Sequence, residues 1–159
     1  LLGFKAPVIR IMPNINATVL EAMSAYCCSE SVTDDQKEFA NKLCSSFGKV
    51  MPLSESYFPL FCSIAGCAPA YAYMFIDSLA RSAVKNGMNK SVALEIAAQT
   101  VLGSAKKILE SDEHPWELID KVCSPGGTTI EGIVSLQKDG FESAVCNAVD
   151  AALQKDKKV

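Results

Sequence analysis

The stretch Ala70–Ile76, which reads Ala-Tyr-Ala-Tyr-Met-Phe-Ile, decides the fold class because it is apolar on every face of a helix. It ends the uncharged segment 56–76, which is long enough to span a membrane. However, Pro59, Gly66 and Pro69 interrupt that segment, and its flanks carry acids rather than cations. We therefore predict a buried helix pair and no membrane contact.

A helix that is apolar all round must be surrounded by protein on every side. In a helical domain of this size, a second copy of the chain supplies that cover most easily. We therefore predict a homodimer, with a higher oligomer left open.

After Leu53 the sequence predicts only helices, whereas the first third of the chain predicts both strands and a helix. Helices are predicted over residues 55–65, 70–85 with Pro69 in the first turn, and 90–109 with Asn89 as cap. Further helices are predicted over 115–122, from the end of the 124–129 loop to about 138, and over 141–157. Short β-branched or apolar runs predict strands over residues 7–12, 22–28 and 49–53, with a helix between Thr33 and Gly48. Strand, helix, strand is typical of the closing part of an α/β domain. The sequence thus predicts a mainly α fold, with domains at 1–53 and 54–159.

Charge and cysteine content exclude several classes of protein. The 159 residues carry a net charge of −3, and their cations cluster only in the tail at Lys155, Lys157 and Lys158, so we expect no nucleic-acid partner. Seven cysteines without a C-x-x-C pair indicate reduced thiols in a cytoplasmic protein. With one histidine, His114, no site that needs two imidazoles can form, and we predict no metal.

The nine glycines form neither G-x-G-x-x-G nor a phosphate-binding G-x-x-x-x-G-K-[ST] loop. Any nucleotide-dependent activity then needs a segment or chain beyond these residues. The sequence also opens with Leu1-Leu2 rather than Met, which favours its interpretation as part of a longer protein.

The most specific local motif is Ser-Pro-Gly-Gly-Thr-Thr-Ile at residues 124–130. Two glycines can adopt conformations closed to other residues and expose consecutive backbone N–H groups, to which the next helix adds the positive end of its dipole. This arrangement suits a small anion such as a carboxylate. The competing interpretation is a tight turn with a threonine cap, and the motif alone favours that.

Two other residues permit a chemical or a structural role. Cys67 precedes a predicted helix, where a thiolate is favoured, but without a neighbouring histidine a small buried thiol is the better interpretation. His114 before Pro115 has the chemistry of a proton carrier, although a turn histidine that caps a helix is favoured.

Several segments, in order and spacing over nearly the whole chain, resemble the pyrroline-5-carboxylate reductase family. They are Arg10–Asn14, Gly66–Tyr71, Ala97–Gly103, His114-Pro115 and Asp120–Ile130. The resemblance implies the carboxyl-terminal part of such an enzyme: the last strands and helix of a Rossmann-type domain, then a helical dimerisation domain like the C-terminal domain of 6-phosphogluconate dehydrogenase. It implies reduction of 1-pyrroline-5-carboxylate to proline with NADP or NAD as cofactor, and inactivity of this chain alone because the glycine-rich loop is missing.

The resemblance also implies roles for individual residues. The carboxylate of the small cyclic substrate would lie on the amides of four consecutive residues with a serine alongside, namely Gly126, Gly127, Thr128, Thr129 and Ser124. Thr129 would be catalytic, because its hydroxyl would donate a hydrogen bond to the imine nitrogen as hydride arrives at the neighbouring carbon.

Pro13, Asn14, Gly66 and Cys67 would lie on the nicotinamide side. Two departures from the family pattern fall there: the family's Asn-Thr-Pro-Ala is Asn-Ile-Asn-Ala at 14–17, and its Gly-Ser-Gly-Pro is Gly-Cys-Ala-Pro at 66–69. The alternatives are a non-catalytic helical dimerisation module, or a related reductase with another imine or keto-acid substrate.

Overall fold

The computed structural model describes residues 6–156. Three short strands form one sheet in the order β1 (Ile9–Met12), β2 (Ala22–Cys28) and β3 (Gly48–Pro52). β1 is antiparallel to β2, whereas β2 and β3 are parallel and are joined by helix α1 (Asp34–Ser45). This β–α–β unit confirms the strand–helix–strand prediction, and the antiparallel β1 adds a pairing that the sequence pattern did not indicate.

Local chemistry explains where α1 and β3 begin. Thr33 caps α1 by accepting from the backbone N–H of Gln36, whose side chain in turn accepts from the Thr33 N–H, so the predicted cap is confirmed. Gly48 has φ +152°, and a Cβ there would overlap the backbone of Ala22 on the neighbouring strand. The chain therefore enters β3 at a point where only glycine fits.

Helices account for most of the described residues after Leu53, as the mainly α prediction requires. They are α2 (Phe58–Phe61), α3 (Ala68–Lys85), α4 (Lys90–Leu109), α5 (Pro115–Val122), α6 (Thr128–Lys138) and α7 (Phe141–Asp156). Single 3-10 turns lie at Ile15–Val19 and Glu55–Tyr57. The predicted end of α7 at residue 157 and the tail cations Lys157 and Lys158 lie outside the described residues.

The predicted interruption between the helices on either side of residues 66–69 is a π-helical turn and not a loop. A π-helical turn, Cys62–Gly66, links α2 to α3, and α3 begins at Ala68 instead of residue 70. Pro69 lies in the first turn of α3, where it needs no N–H partner, and this position confirms the prediction. The stretch Glu55–Lys85 is long and apolar enough to cross a membrane, and 11% of its most apolar window is buried in this chain.

The described residues divide into two compact units. One contains the residues up to Tyr71 together with those from Ala148 onward, and the other is Ala72–Asn147. The first unit buries Phe58 and Cys44 together with small side chains of the sheet and α1. In the second unit the buried residues are all alanines: Ala80, Ala93 and Ala97.

The apolar stretch that we expected to be surrounded by protein is not covered by its own chain. Tyr73 is 57% exposed and Met74 is 74% exposed. Further large apolar side chains of the second unit are also exposed, among them Leu79, Val92, Ile96, Leu102, Ile108, Leu109 and Val134. Exposed apolar side chains that share one surface are typical of a site covered by another protein.

Candidate functional site

The Ser124–Thr129 turn connects α5 to α6 and is closed by a backbone hydrogen bond. Gly127 donates its N–H to the Ser124 carbonyl oxygen at 2.9 Å, across Pro125 and a Gly126 with φ +66°. Proline followed by a residue of positive φ is the signature of a type II turn. The two glycines serve different needs: Gly126 supplies the left-handed conformation, and Gly127 leaves the room that the Ser124 hydroxyl occupies.

This turn leaves the first amides of α6 without partners. Gly127 is the N-cap residue, and no side chain accepts a hydrogen bond at this helix end. By contrast, side chains of Thr33, Asn89 and His114 cap α1, α4 and α5. The competing prediction of a threonine cap is thus wrong, and the helix end keeps both its free donors and its positive partial charge.

Within residues 6–156, the backbone N–H groups of Gly126, Thr128 and Thr129 donate to no protein group. Gly127 differs from what the sequence led us to expect, because its N–H is committed to closing the turn. The side chains of Thr128 and Thr129 are exposed, and their hydroxyls have no partner in that range. Chemically, the turn offers three amide donors and two hydroxyls to a small anion.

A cavity of about 550 Å³ lies between α4 and α5 in the same unit and ends at Val122, from which the chain enters the turn. Its lining includes Gly103, Ser104, Lys107 and Lys121. Sequence reasoning missed this cavity: Gly103 was noted only as part of a resembling segment, and helical periodicity gave no sign that α5 would leave a gap against α4.

Residues before α5 act structurally. His114 accepts from the Trp116 N–H at 3.2 Å through Nδ1, and its own N–H donates to Glu117 at 3.0 Å, which confirms the predicted capping role. Glu113 is paired with Lys121, and that hydrogen bond holds the pKa of the Glu113 carboxyl below its usual range. The start of α5 is thereby tied to its last turn.

The residues assigned to the nicotinamide side come together in the unit that contains the sheet. The Asn14 side chain donates to the Ala65 carbonyl at 2.9 Å and accepts from the Met23 N–H at 3.2 Å. It thus links the turn after β1 to β2 and to the segment Gly66–Cys67. The amide group of Asn14 is therefore a structural link, while Pro13 beside it is part of the same turn.

The same unit contains a cavity that sequence reasoning did not foresee. It measures about 740 Å³ and is lined in part by Arg10, Tyr26, Cys27 and Lys37. Arg10 donates to Glu55 at 2.9 Å and lies 4.6 Å from the centre of the Phe58 ring. Arg10 stood in the first resembling segment, but nothing in its spacing pointed to a cavity. No group of three or more possible metal ligands occurs among residues 6–156.

Residues 55–159 match the family model described as pyrroline-5-carboxylate reductase dimerisation. The chain belongs to this family. The match begins next to the predicted domain boundary and includes both the apolar helices and the Ser124–Thr129 turn.

Relatives and solved structures extend the likeness over nearly the whole chain. It is 40% identical to the pyrroline-5-carboxylate reductase of Synechocystis sp. over 96% of this chain and 57% of that protein. It is 39% identical to the Escherichia coli enzyme of the same name over 99% of this chain and 59% of that protein. The chain therefore spans somewhat more than half the length of the curated relatives it matches.

Two solved structures of this kind confirm the fold. The pyrroline-5-carboxylate reductase of Streptococcus pyogenes superposes with a TM-score of 0.93 at 41% identity, covering 99% of this chain and 61% of that one. The Plasmodium falciparum pyrroline carboxylate reductase, solved with NADP bound, gives a TM-score of 0.92 at 35% identity, covering 99% and 63%. The predicted resemblance is thus confirmed, including the short sheet before the helical dimerisation segment.

Proposed function

We propose that this chain is the dimerisation and substrate-binding part of a pyrroline-5-carboxylate reductase, a cytoplasmic oxidoreductase that reduces 1-pyrroline-5-carboxylate to proline with NADPH or NADH. In this proposal residues 54–159 form the dimerisation and substrate-binding domain, and residues 1–53 belong to the nucleotide-binding domain. Dinucleotide binding needs the further sequence that the longer relatives have, because no glycine-rich phosphate loop occurs here.

The packing of the second unit supports self-association. Its buried residues are alanines, while Tyr73, Met74 and Ile96 are more than half exposed. These three alanines bury little apolar area for a unit that contains α4, α5 and α6 with parts of α3 and α7. A second copy of the chain, seated on these exposed side chains, supplies the missing apolar contacts, and the family's description as a dimerisation domain supports this occupant.

The observation that carries the substrate proposal is the uncapped start of α6. Gly126, Thr128 and Thr129 present free amides at the positive end of a helix, where a carboxylate finds both hydrogen bonds and favourable charge. The substrate's carboxylate then binds the Ser124–Thr129 turn, with Gly127 shaping the turn rather than donating. Ser124 lies beside the carboxylate, and its carbonyl holds the turn closed.

Thr129 is proposed as the catalytic residue. Its hydroxyl has no protein partner in the described chain, so it is available to donate to the imine nitrogen while hydride reaches the adjacent carbon. Such a donor stabilises the transition state by meeting charge that changes during the reaction. Pro13, Asn14, Gly66 and Cys67 are proposed to position the nicotinamide, with Asn14 acting through its hold on the Ala65 carbonyl.

Replacement of Thr128 by proline tests the amide donors directly. Thr128 occupies the first helical position of α6, where proline is tolerated, and Gly127 before it has φ −80° and ψ 169°, which proline permits. Thr128→Pro therefore deletes one free N–H with the helix intact. Thr128→Ala keeps the N–H and is the matched control.

Proline is titrated calorimetrically into the wild-type chain and both variants. A hydrogen bond to a charged group contributes about 1.5–3 kcal/mol, so Thr128→Pro should bind proline at least roughly tenfold more weakly, and Thr128→Ala close to wild type. Prolinamide, which lacks the carboxylate, should bind poorly to all three. Equal affinities for Thr128→Pro and wild type, or for proline and prolinamide, would leave the non-catalytic dimerisation module as the better account.

Catalysis is tested in the longer protein that contains this sequence and its nucleotide-binding segment. Thr129→Ala should lower kcat for NAD(P)H oxidation by about 10²-fold or more, as loss of a proton-donating group does. Dimerisation should be unchanged, and Thr129→Ser should recover most of the rate because it restores the hydroxyl. A Thr129→Ala enzyme with full activity would remove Thr129 from the catalytic role.

A further inference from the structure

Cys62 and Cys67 lie directly over one another because of the π-helical turn between α2 and α3. In an α-helix, residues four apart lie on the same side and residues five apart do not. The π turn Cys62–Gly66 adds one residue, and the Cys67 N–H donates to the Cys62 carbonyl at 3.0 Å. Residues one helical turn apart have Cβ atoms about 5–6 Å apart, so a disulfide here requires the turn to draw the two Cβ atoms together by about 1–2 Å.

The side chains also approach each other. The Cys62 sulfur lies 3.4 Å from the position that a Cβ on Gly66 would take, which places it against the residue preceding Cys67. Burial and contact with the Cys67 side chain raise the pKa of the Cys62 thiol. Both thiols are free and half-buried, so a small reagent can reach them.

We propose that Cys62 and Cys67 form a reversible disulfide on reaction with a low-molecular-weight disulfide such as glutathione disulfide. The adjacent pair Cys27 and Cys28 has no such geometry, since neighbours on strand β2 point to opposite faces.

The reaction runs in two exchange steps. Cys67 loses its proton to solvent, and its thiolate attacks one sulfur of glutathione disulfide, which breaks that S–S bond and releases one glutathione. Cys62 then loses its proton and attacks the Cys67 sulfur of the mixed disulfide, which releases the second glutathione. Two cysteines are oxidised, one glutathione disulfide is reduced to two glutathiones, and dithiothreitol reverses the sequence.

The disulfide would lock the segment that Asn14 holds through the Ala65 carbonyl. A changed affinity for the dinucleotide in the longer reductase is the expected consequence, and this consequence rests on the proposed function. Disulfide formation itself does not, and it is measured by mass alone.

Tryptic mapping of the chain tests the proposal. Cleavage after Lys49 and Arg81 yields the peptide 50–81, in which Cys62 and Cys67 are the cysteines. After incubation with glutathione disulfide and trapping with N-ethylmaleimide, this peptide should be lighter than the reduced form by two hydrogens and carry no maleimide. Dithiothreitol should restore two maleimide sites.

Variants assign the two roles. Cys62→Ser should accumulate a glutathione adduct on Cys67, whereas Cys67→Ser should accumulate little adduct on Cys62. Cys146→Ser, which removes an exposed cysteine of α7, should leave oxidation of the peptide 50–81 unchanged. A wild-type peptide that keeps both maleimide sites, or that stops at a stable glutathione adduct, would overturn the proposal, and a stable adduct on Cys62 alone would overturn the assigned order of attack.

Discussion

Replacement of Met74 by alanine tests the surface on which the proposed homodimer depends. Met74 is 74% exposed, so truncating it removes little from the chain's own packing. Full burial of a methionine side chain contributes about 1.5–3 kcal/mol, of which roughly three quarters remains to be gained on association. A symmetric dimer contains the residue twice, so Met74→Ala should cost about 2–4 kcal/mol, or roughly 30- to 700-fold in the dimer dissociation constant.

Sedimentation equilibrium over a dilution series measures that constant, and far-UV circular dichroism checks the helix content. Phe39→Ala is the matched control: Phe39 is 70% exposed on α1 and lies before the matched segment 55–159. Phe39→Ala should leave the dimer unchanged. Equal dissociation constants for the two variants would refute the assignment of Met74 to the dimer surface, and a wild-type chain that sediments as a monomer at every concentration would refute the dimer.

Three further substitutions follow from the described geometry. Gly126→Ala should lower the free energy of unfolding by about 1–2 kcal/mol, because φ is +66° at a site with free space around it; unchanged urea stability would contradict the turn. Gly132→Ala should raise stability by about 0.5–1 kcal/mol, since the glycine lies inside α6 with nothing near its Cβ position; a lower Tm would show that something approaches there. The hydrogen bond to Lys121 lowers the pKa of Glu113 in the folded chain, so the carboxylate stabilises the fold above its ordinary pKa, and this contribution is lost as pH falls through the lowered value. Glu113→Gln should therefore have a lower urea midpoint than wild type at neutral pH and the same midpoint in acid. Equal midpoints at both pH values would refute the pairing.

Much of the local structure could be predicted because its signals are local. β2 and α5 have the predicted bounds, Ala22–Cys28 and Pro115–Val122. The bounds of α5 were predictable because His114 and Pro115 mark its start, whereas β2 has no β-branched residue and was indicated only by its apolar run. Neither the antiparallel pairing of β1 nor the π-helical turn was predicted. Strand direction depends on partners distant in sequence, and the segment from Gly66 to Pro69 was interpreted as a break between two helices instead of a π-helical turn that continues into α3.

The candidate site was predicted in part for the same reason. The double glycine correctly indicated a turn before α6, and resemblance supplied the substrate. The backbone N–H that closes the turn is set by the conformations of Pro125 and Gly126, which the sequence does not show. The hydrogen bond from the Gly127 N–H to the Ser124 carbonyl was therefore not predicted. The cavity beside α5 depends on how two helices pack, which no single periodicity describes.

The Ser124–Thr129 turn belongs to the unit whose buried residues are alanines, so the proposed carboxylate site and the proposed dimer are not separate properties. The amides of Thr128 and Thr129 point in one direction only while α6 is folded, and this unit fully buries no large apolar side chain. In the proposed dimer, association supplies part of the free energy that preorganises the donors. A substitution on the apolar face of α3 should therefore weaken substrate binding without contacting the site. It weakens the dimer, and the start of α6 is then held less firmly.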